Sequence, residues 1–345
     1  MKNLFISTTI FFATLMMWLM GSTEASAQEV IVNSNASPLI TINGEDFTLD
    51  GETISLDDGK VIINNRRGKG GNIIINGVTI GYNDSSDIHK IVGSKERTTR
   101  EVELTKGFNY IFASRGVKVV MSEKKGNTAT IEANSNIIDY VVCESDNGTL
   151  KIGIDDDVKS ISNLYVVVTI PRRDNINVYR VTSAANITIY PTLDTSNVSL
   201  EATSAGSINL TRINCDKLLI DATSAASVSG GFRVKEKALV EASSAANVNV
   251  SLLGEYASLH ASSAANIKAS GQVNQLDIDA SSAAKIKAQE LNSVKAEADA
   301  SSGASIYVSC DKELDAEASS GGDVHYKGEC RVERSTSSGG SVKSL

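Results

Sequence analysis

From Val181 to Leu345 the alternation of polar and apolar residues is organised by one phrase that recurs nine times: Ser or Thr, an invariant Ser, two Ala or Gly residues, a polar residue, then Ile or Val. The invariant serines are Ser183, Ser204, Ser224, Ser244, Ser263, Ser282, Ser302, Ser320 and Ser338, at steps of 21, 20, 20, 19, 19, 20, 18 and 18 residues. Four positions before the serine stand Leu200, Ile220, Val240, Leu259 and Ile278; two before it stand Ala202, Ala222, Ala242, Ala261, Ala280, Ala300 and Ala318, with polar residues between. A period of two predicts a strand with one face inward, and the serine column continues that inward phase. The small pair after the serine predicts a sharp bend. A second strand then opens with the β-branched column Ile187, Ile208, Val228, Val248, Ile267, Ile286, Ile306, Val324 and Val342, suited to a stiff, half-buried pleat.

Short repeats of this kind bury their apolar face only against their neighbours, which is the logic of a solenoid. The expected fold is therefore all-β: a right-handed parallel β-helix-like solenoid of coils of about 20 residues, with equivalent strands stacked at roughly 4.8 Å and nine coils giving a rod of roughly 40 Å. Upstream, LITINGEDFTLDGETISLDDGKVIINN and GNIIINGVTIGY are β-rich runs punctuated by glycine, read as hairpins or a meander. RRGKGGN lacks the GxxxxGK[ST] frame of a phosphate loop and reads as a solvated hairpin tip, while DSSDIHKIVGSKERTTRE reads as a charged connector. Strands from Arg100 onward lead into the repeats. The domain reading is residues 1–27 signal peptide, 28–98 β-rich segment and connector, and 99–345 β-helical domain with its repeat region at 181–345.

Composition narrows this picture. The chain is 41% hydrophobic but only 5% aromatic, which a thin stacked core of Ala, Val, Ile and Leu tolerates better than a thick globular one. With 41 acidic against 33 basic residues the net charge is −8, which argues against nucleic acid as a partner. Lys2, the apolar stretch Leu4 to Met20 and the small-residue site Ala25-Ser26-Ala27 form an export signal. No Cys lies near that site, so no lipid anchor is expected. The mature chain is expected in the periplasm or associated with the outer membrane or cell surface, with no membrane span after signal cleavage. Cys143, Cys215, Cys310 and Cys330 would then meet an oxidising compartment. Cys310 and Cys330 fall on adjacent coils and could bridge, but no other connectivity is legible, and no zinc-type spacing occurs.

Candidate chemistry is sparse. Nine equivalent serines cannot each have a base and an orienting partner when the chain holds only His89, His260 and His325. A hydrogen-bonded hydroxyl ladder at the bends is the structural reading. Three residues before the serines stand Glu201, Asp221, Glu241, His260, Asp279, Asp299 and Glu317, and five before the later ones stand Asp277, Glu297, Asp315 and Glu333, all on the outward phase. Stacked carboxylates raise one another's pKa or recruit a hard cation, so Asp277, Asp279, Glu297, Asp299, Asp315 and Glu317 are the candidate Ca²⁺ site. A solvated acidic face that keeps a rod soluble is the competing reading. No other cofactor is implied.

The phrases TKGFNYIFASRGVKVVMSE, NGTLKI, VVVTIP and the following SAANI, SAGSI and SSGAS together resemble the GIN domain, the head domain of auto-transporter adhesins in exported proteins of Bacteroidetes, over roughly residues 100 to 342. The resemblance implies a β-helical domain on an exported, adhesin-like protein and brings no catalytic residues with it. No barrel-forming segment follows the repeats up to SVKSL, so attachment to the cell is expected from another component. Two functions stand. One is a non-catalytic surface, structural or adhesion module whose partner is an envelope protein, a glycan or another copy of itself. The other is a polysaccharide-acting β-helix enzyme, supported by fold analogy alone. Glycosidase chemistry needs a singular carboxylate pair in a cleft, whereas these acids repeat with the coil, and Tyr256, Tyr307 and Tyr326 are scattered.

Overall fold

A computed structural model describes residues 91–345 apart from residue 106, together with the backbone of the strands between residues 31 and 90. The export signal, residues 66–70 of the glycine-rich tip and residues 84–89 of the charged stretch lie outside the described residues. The chain divides into two compact units, residues 1–92 with 156–162, and residues 93–155 with 163–345. In the first, Ile31–Asn33, Leu39–Ile42 and Glu45–Thr48 form an antiparallel meander, and Thr53–Asp57 with Lys60–Asn64 and Gly71–Ile75 with Val78–Tyr82 form hairpins. Lys90–Val92 pairs in parallel with Ser160–Ser162.

The second unit is a parallel β-solenoid of about eight turns. Its coils Ser207–Ala222, Ser227–Ala242, Asn247–Ala261, Asn266–Ala280, Lys285–Ala300 and Ser305–Ala318 each pair in parallel with the next, so that like residues stand in register. The two strands expected per coil run together as one extended stretch of 14–16 residues, bent at irregularities such as that between Val234 and Lys237. The columns read from the alternation form the core. Leu200, Ile220, Val240, Leu259 and Ile278 are each 0% exposed, and no member of the Ile187-to-Val342 column exceeds 9%.

The serine column departs from its expected phase. The invariant serines and the residues after them are exposed, and both adopt left-handed backbone, as in Ser244 and Ala245 with φ of 50° and 62°. Two consecutive left-handed residues, closed by the Ala246 N–H donating to Ser243 O at 3.1 Å, make a turn of the type I′ kind. Alternation stops at such a turn, so the inward position passes to the second small residue: Ala185, Ala226, Ala246, Ala265, Ala284 and Ala304 are buried. The expected hydroxyl ladder is likewise replaced by a backbone one. The N–H of each left-handed Ala or Gly donates to the invariant serine carbonyl of the next coil, from Ala184 to Ser204 at 3.0 Å through Gly321 to Ser338 at 3.2 Å. Left-handed backbone costs a residue with a Cβ roughly 1–2 kcal/mol, so the stack imposes this corner against local preference. Gly303, Gly321 and Gly339 already occupy the second left-handed position in the later coils. Ala245→Gly is therefore expected to stabilise the fold by about 0.5–1 kcal/mol, after allowing for the greater freedom of glycine when unfolded; urea titration would measure it, and a destabilised variant would contradict the corner geometry.

One further corner precedes the repeats. Arg115 and Gly116, with φ of 61° and 74°, turn between Tyr110–Ala113 and Lys118–Met121, which stack in parallel on Val178–Val181 and on Asn186–Ile189. The Gly116 N–H donates to Ser183 O at 2.9 Å, extending the same ladder. On its other side this coil pairs with Thr149–Ile154 and Val166–Ile170, which belong to antiparallel pairings with Val141–Asp146 and Thr128–Asn134. Of the charged stretch read as a connector, Arg97–Glu103 is a strand antiparallel to Thr128–Asn134. These antiparallel strands cover the first coil's hydrogen-bonding edge, which a parallel solenoid otherwise leaves open.

Candidate functional site

The register that stacks the core also stacks whatever points outward. Asp277 stands opposite Glu297, and Glu297 opposite Asp315; beside them run Asp279, Asp299 and Glu317. The six carboxylates singled out in the sequence thus share one outer face over three coils, and none is buried. His260 and Glu333 continue the two columns. Other side chains line its margins. The Tyr256 hydroxyl donates to Asp277 Oδ2 at 3.1 Å, His260 Nδ1 lies 3.7 Å from Asp279 Oδ2, and Glu313 pairs with Lys295 at 3.0 Å and Arg331 at 3.8 Å. A cleft of about 300 Å³ runs between Tyr256, Asp277, Glu297, Lys295 and Arg331. A smaller hollow of about 160 Å³ lies over Asp279, Asp299 and Glu317. Among the described residues no group of three or more His, Cys, Asp or Glu side chains is placed to hold a metal ion.

Asp299 sits at the middle of this face and carries its electrostatic load. Partial burial, followed by the charges of Glu317, Glu297, Asp279 and Asp277, pushes its carboxyl from 3.8 up to about 6. The folded state therefore holds this proton where the unfolded chain has lost it, so stability should fall as pH rises from 3.8 through about 6 and stay lower above that. Melting temperature measured from pH 5 to pH 8 should decline over the lower part of the range, and Asp299→Asn should melt higher at pH 8 with a flatter profile. A wild-type profile flat across this interval would count against the coupling.

The tyrosines take separate environments. Tyr307 stacks on His325 with ring centroids 4.8 Å apart, Tyr326 turns inward at 7% exposure, and Lys237 lies 5.1 Å from the centre of the Tyr256 ring. Of the thiols, Cys143, Cys215 and Cys310 are buried, and burial pushes the first two up to about 11. The Cys310 thiol donates to Glu313 O at 3.0 Å, and burial followed by the neighbouring Cys310 raises the Cys330 thiol. The bridge considered between these two cysteines is not formed: both are free thiols in this structure.

A feature missed by motif reasoning lies on another part of the solenoid. At Gly230 and Gly231 two side chains are missing from the coil surface, leaving a cleft of about 470 Å³ between Leu210 and Leu253 with Arg212 and Arg233 along it. The only sequence signal was a glycine pair interrupting the alternation of Ser227–Ala242.

Comparison with known proteins places this architecture. A family model described as "Putative auto-transporter adhesin, head GIN domain" matches residues 107–236 and 229–330. A putative adhesin from Parabacteroides merdae has the same fold, with a TM-score of 0.60 at 14% identity over 74% of this chain and 99% of that one. A putative adhesin from Parabacteroides distasonis superposes with a TM-score of 0.56 at 14% identity, covering 74% of this chain and 100% of its own. A protein from the same organism named a putative lipid binding protein gives 0.53 at 19% identity, over 74% and 99%. No curated protein matches the chain. The matched segments span most of the solenoid and its first coil, and the chain belongs to the GIN-domain family that this model describes.

Proposed function

We propose that this protein is an exported, non-catalytic adhesion module of the cell envelope, acting in the periplasm or at the cell surface and engaging an envelope protein, a glycan or another copy of itself through the outward faces of its rod. The observation that carries this reading is the in-register stacking of outward side chains, which turns single residues into continuous stripes, as in His260, Asp279, Asp299 and Glu317. Such stripes suit repeated weak contacts along an extended partner, where linked binding events reinforce one another. Membership of the adhesin-head family supports it, and among the described residues no helix is long and apolar enough to cross a membrane.

The test is retention of beads coated with the chain on envelope fractions and intact cells, with and without millimolar Ca²⁺ against NaCl of matched ionic strength. Retention above beads coated with an unrelated acidic protein supports adhesion; equal retention removes it. A Ca²⁺-specific gain that disappears in Asp279→Asn/Asp299→Asn supports cation uptake by the acidic face, while equal salt effects reduce that face to screening. The enzyme reading draws on one observation, the raised Asp299 carboxyl among other acids, a profile shared with general acids. Release of reducing ends from an acidic polysaccharide that ceases in Asp299→Asn would establish it instead.

A further inference from the structure

The cleft at Gly230 and Gly231 gathers two arginines, two leucines and several small polar side chains. Arg212 stands in register with Gly231 on the neighbouring coil, and Arg233 lies two residues beyond that glycine on the same face. The two guanidiniums therefore arise from diagonal positions, within reach of a single small group. Both are exposed, and among the described residues neither forms an ion pair or hydrogen bond. Of the nearby acids, Asp216 pairs with Lys235 at 2.8 Å, and Asp194 is held by the Asn214 amide at 2.8 Å, with neither arginine as its partner. In a chain of net charge −8, two adjacent uncompensated cations are a local inversion of sign.

The walls complete the chemistry. A Cβ on Gly230 would come within 2.5 Å of the Leu210 side chain, so Leu210 lies folded down over that glycine. Leu253, 39% exposed, forms an apolar ledge opposite. Ser251 and Asn249 line the cleft and offer it polar groups. An apolar ledge for C–H groups, polar side chains for hydroxyls and two planar forks for an oxyanion together describe one kind of ligand. The cleft, at about 470 Å³, is in the size range of small-ligand sites. We infer that this cleft binds an acidic saccharide unit, with the sugar's carboxylate or sulfate held between Arg212 and Arg233 and its ring against Leu253. A polynucleotide fits poorly, because two arginines in a chain of net charge −8 are too few to follow a phosphodiester backbone. The inference rests on the adhesive reading above and deepens it by naming a ligand class and a place.

Calorimetric titration of the full chain with trigalacturonate, a sulfated galactotriose and neutral galactotriose tests it, the first two arms separating carboxylate from sulfate. At least one acidic trisaccharide should bind about tenfold or more tightly than the neutral one, the worth of a charge-assisted pair. Arg212→Ala/Arg233→Ala should lose about that factor. Ser251→Tyr, which keeps both arginines and obstructs the cleft from an exposed position, should lose it as well, with unchanged circular dichroism. Equal affinity for acidic and neutral sugars overturns the inference. So does retention of binding in Ser251→Tyr, which would indicate a diffuse basic surface, or displacement by equimolar inorganic sulfate, which would indicate an anion site only. If wild-type chain binds neither acidic sugar yet its beads still adhere to envelopes, this inference fails and the adhesive reading stands; loss of both removes both.

Discussion

Ile267→Asp should destabilise the solenoid by about 4 kcal/mol or more, enough to unfold the surrounding coils at ambient temperature. Ile267 is 1% exposed in a single-file column with Val248 before it and Ile286 after it. The substitution removes a buried branched side chain and places a carboxylate where no cation or donor faces it. The thin interior offers no route for the charge to reach water without pulling its strand from the stack. Ile267→Val, by contrast, should cost only about 0.5–1.5 kcal/mol. Chemical denaturation of the pair gives the comparison, and similar midpoints for the two variants would mean that this column does not face the core.

Gly271→Ala is the second change expected to act strongly, through backbone rather than side-chain packing. Its φ is 116°, and a Cβ there would lie 2.0 Å from the Leu252 carbonyl oxygen of the preceding coil. That oxygen belongs to the backbone and cannot swing aside as a side chain would. Relief requires the backbone at Gly271 to move away and its parallel register with Leu252 to slip. A cost of about 3 kcal/mol is expected from the clash and the unfavourable torsion together. Thermal melting would test it; a variant as stable as the wild type would show that the coils can separate locally at little expense.

How far these features were legible in the sequence depends on how local their causes are. The Ile187-to-Val342 column and the Leu200-to-Ile278 column follow from period-two burial, which a strand enforces within a few residues, and both are in the core. The acidic stripe followed because parallel stacking at a constant repeat carries any outward position onto its equivalent. The serine phase did not follow, because inward positions were extrapolated through Ser204 and Ser224 as if the strand continued, whereas consecutive left-handed residues reset the alternation. The corner at Arg115 and Gly116 was hidden because a long excursion of hairpins separates it from Ser183, on which it stacks, and its text puts Arg115 in place of the invariant serine and Val117 in place of the second small residue. The partnership of Arg97–Glu103 with Thr128–Asn134 was hidden by a run of charges that an edge strand accommodates. The cleft required knowledge of which side chains flank a glycine pair on neighbouring coils, information that lies about twenty residues away in either direction.

The corner ladder separates two kinds of heredity in this chain. Because each coil is tied to the next by main-chain groups at the Ser-Ala corner and by inward side chains, the outward residues supply little of the attraction that holds the scaffold together. They are free to drift, and a change of charge or shape on one stripe leaves its neighbours and the backbone path intact. Length is equally unconstrained: duplication or loss of one repeat changes how far the faces extend without redesigning how they are held. Lineages of such rods can therefore retain a recognisable skeleton while replacing nearly every residue that a partner would touch, so specificity must be read coil by coil from the surface rather than inherited from the architecture.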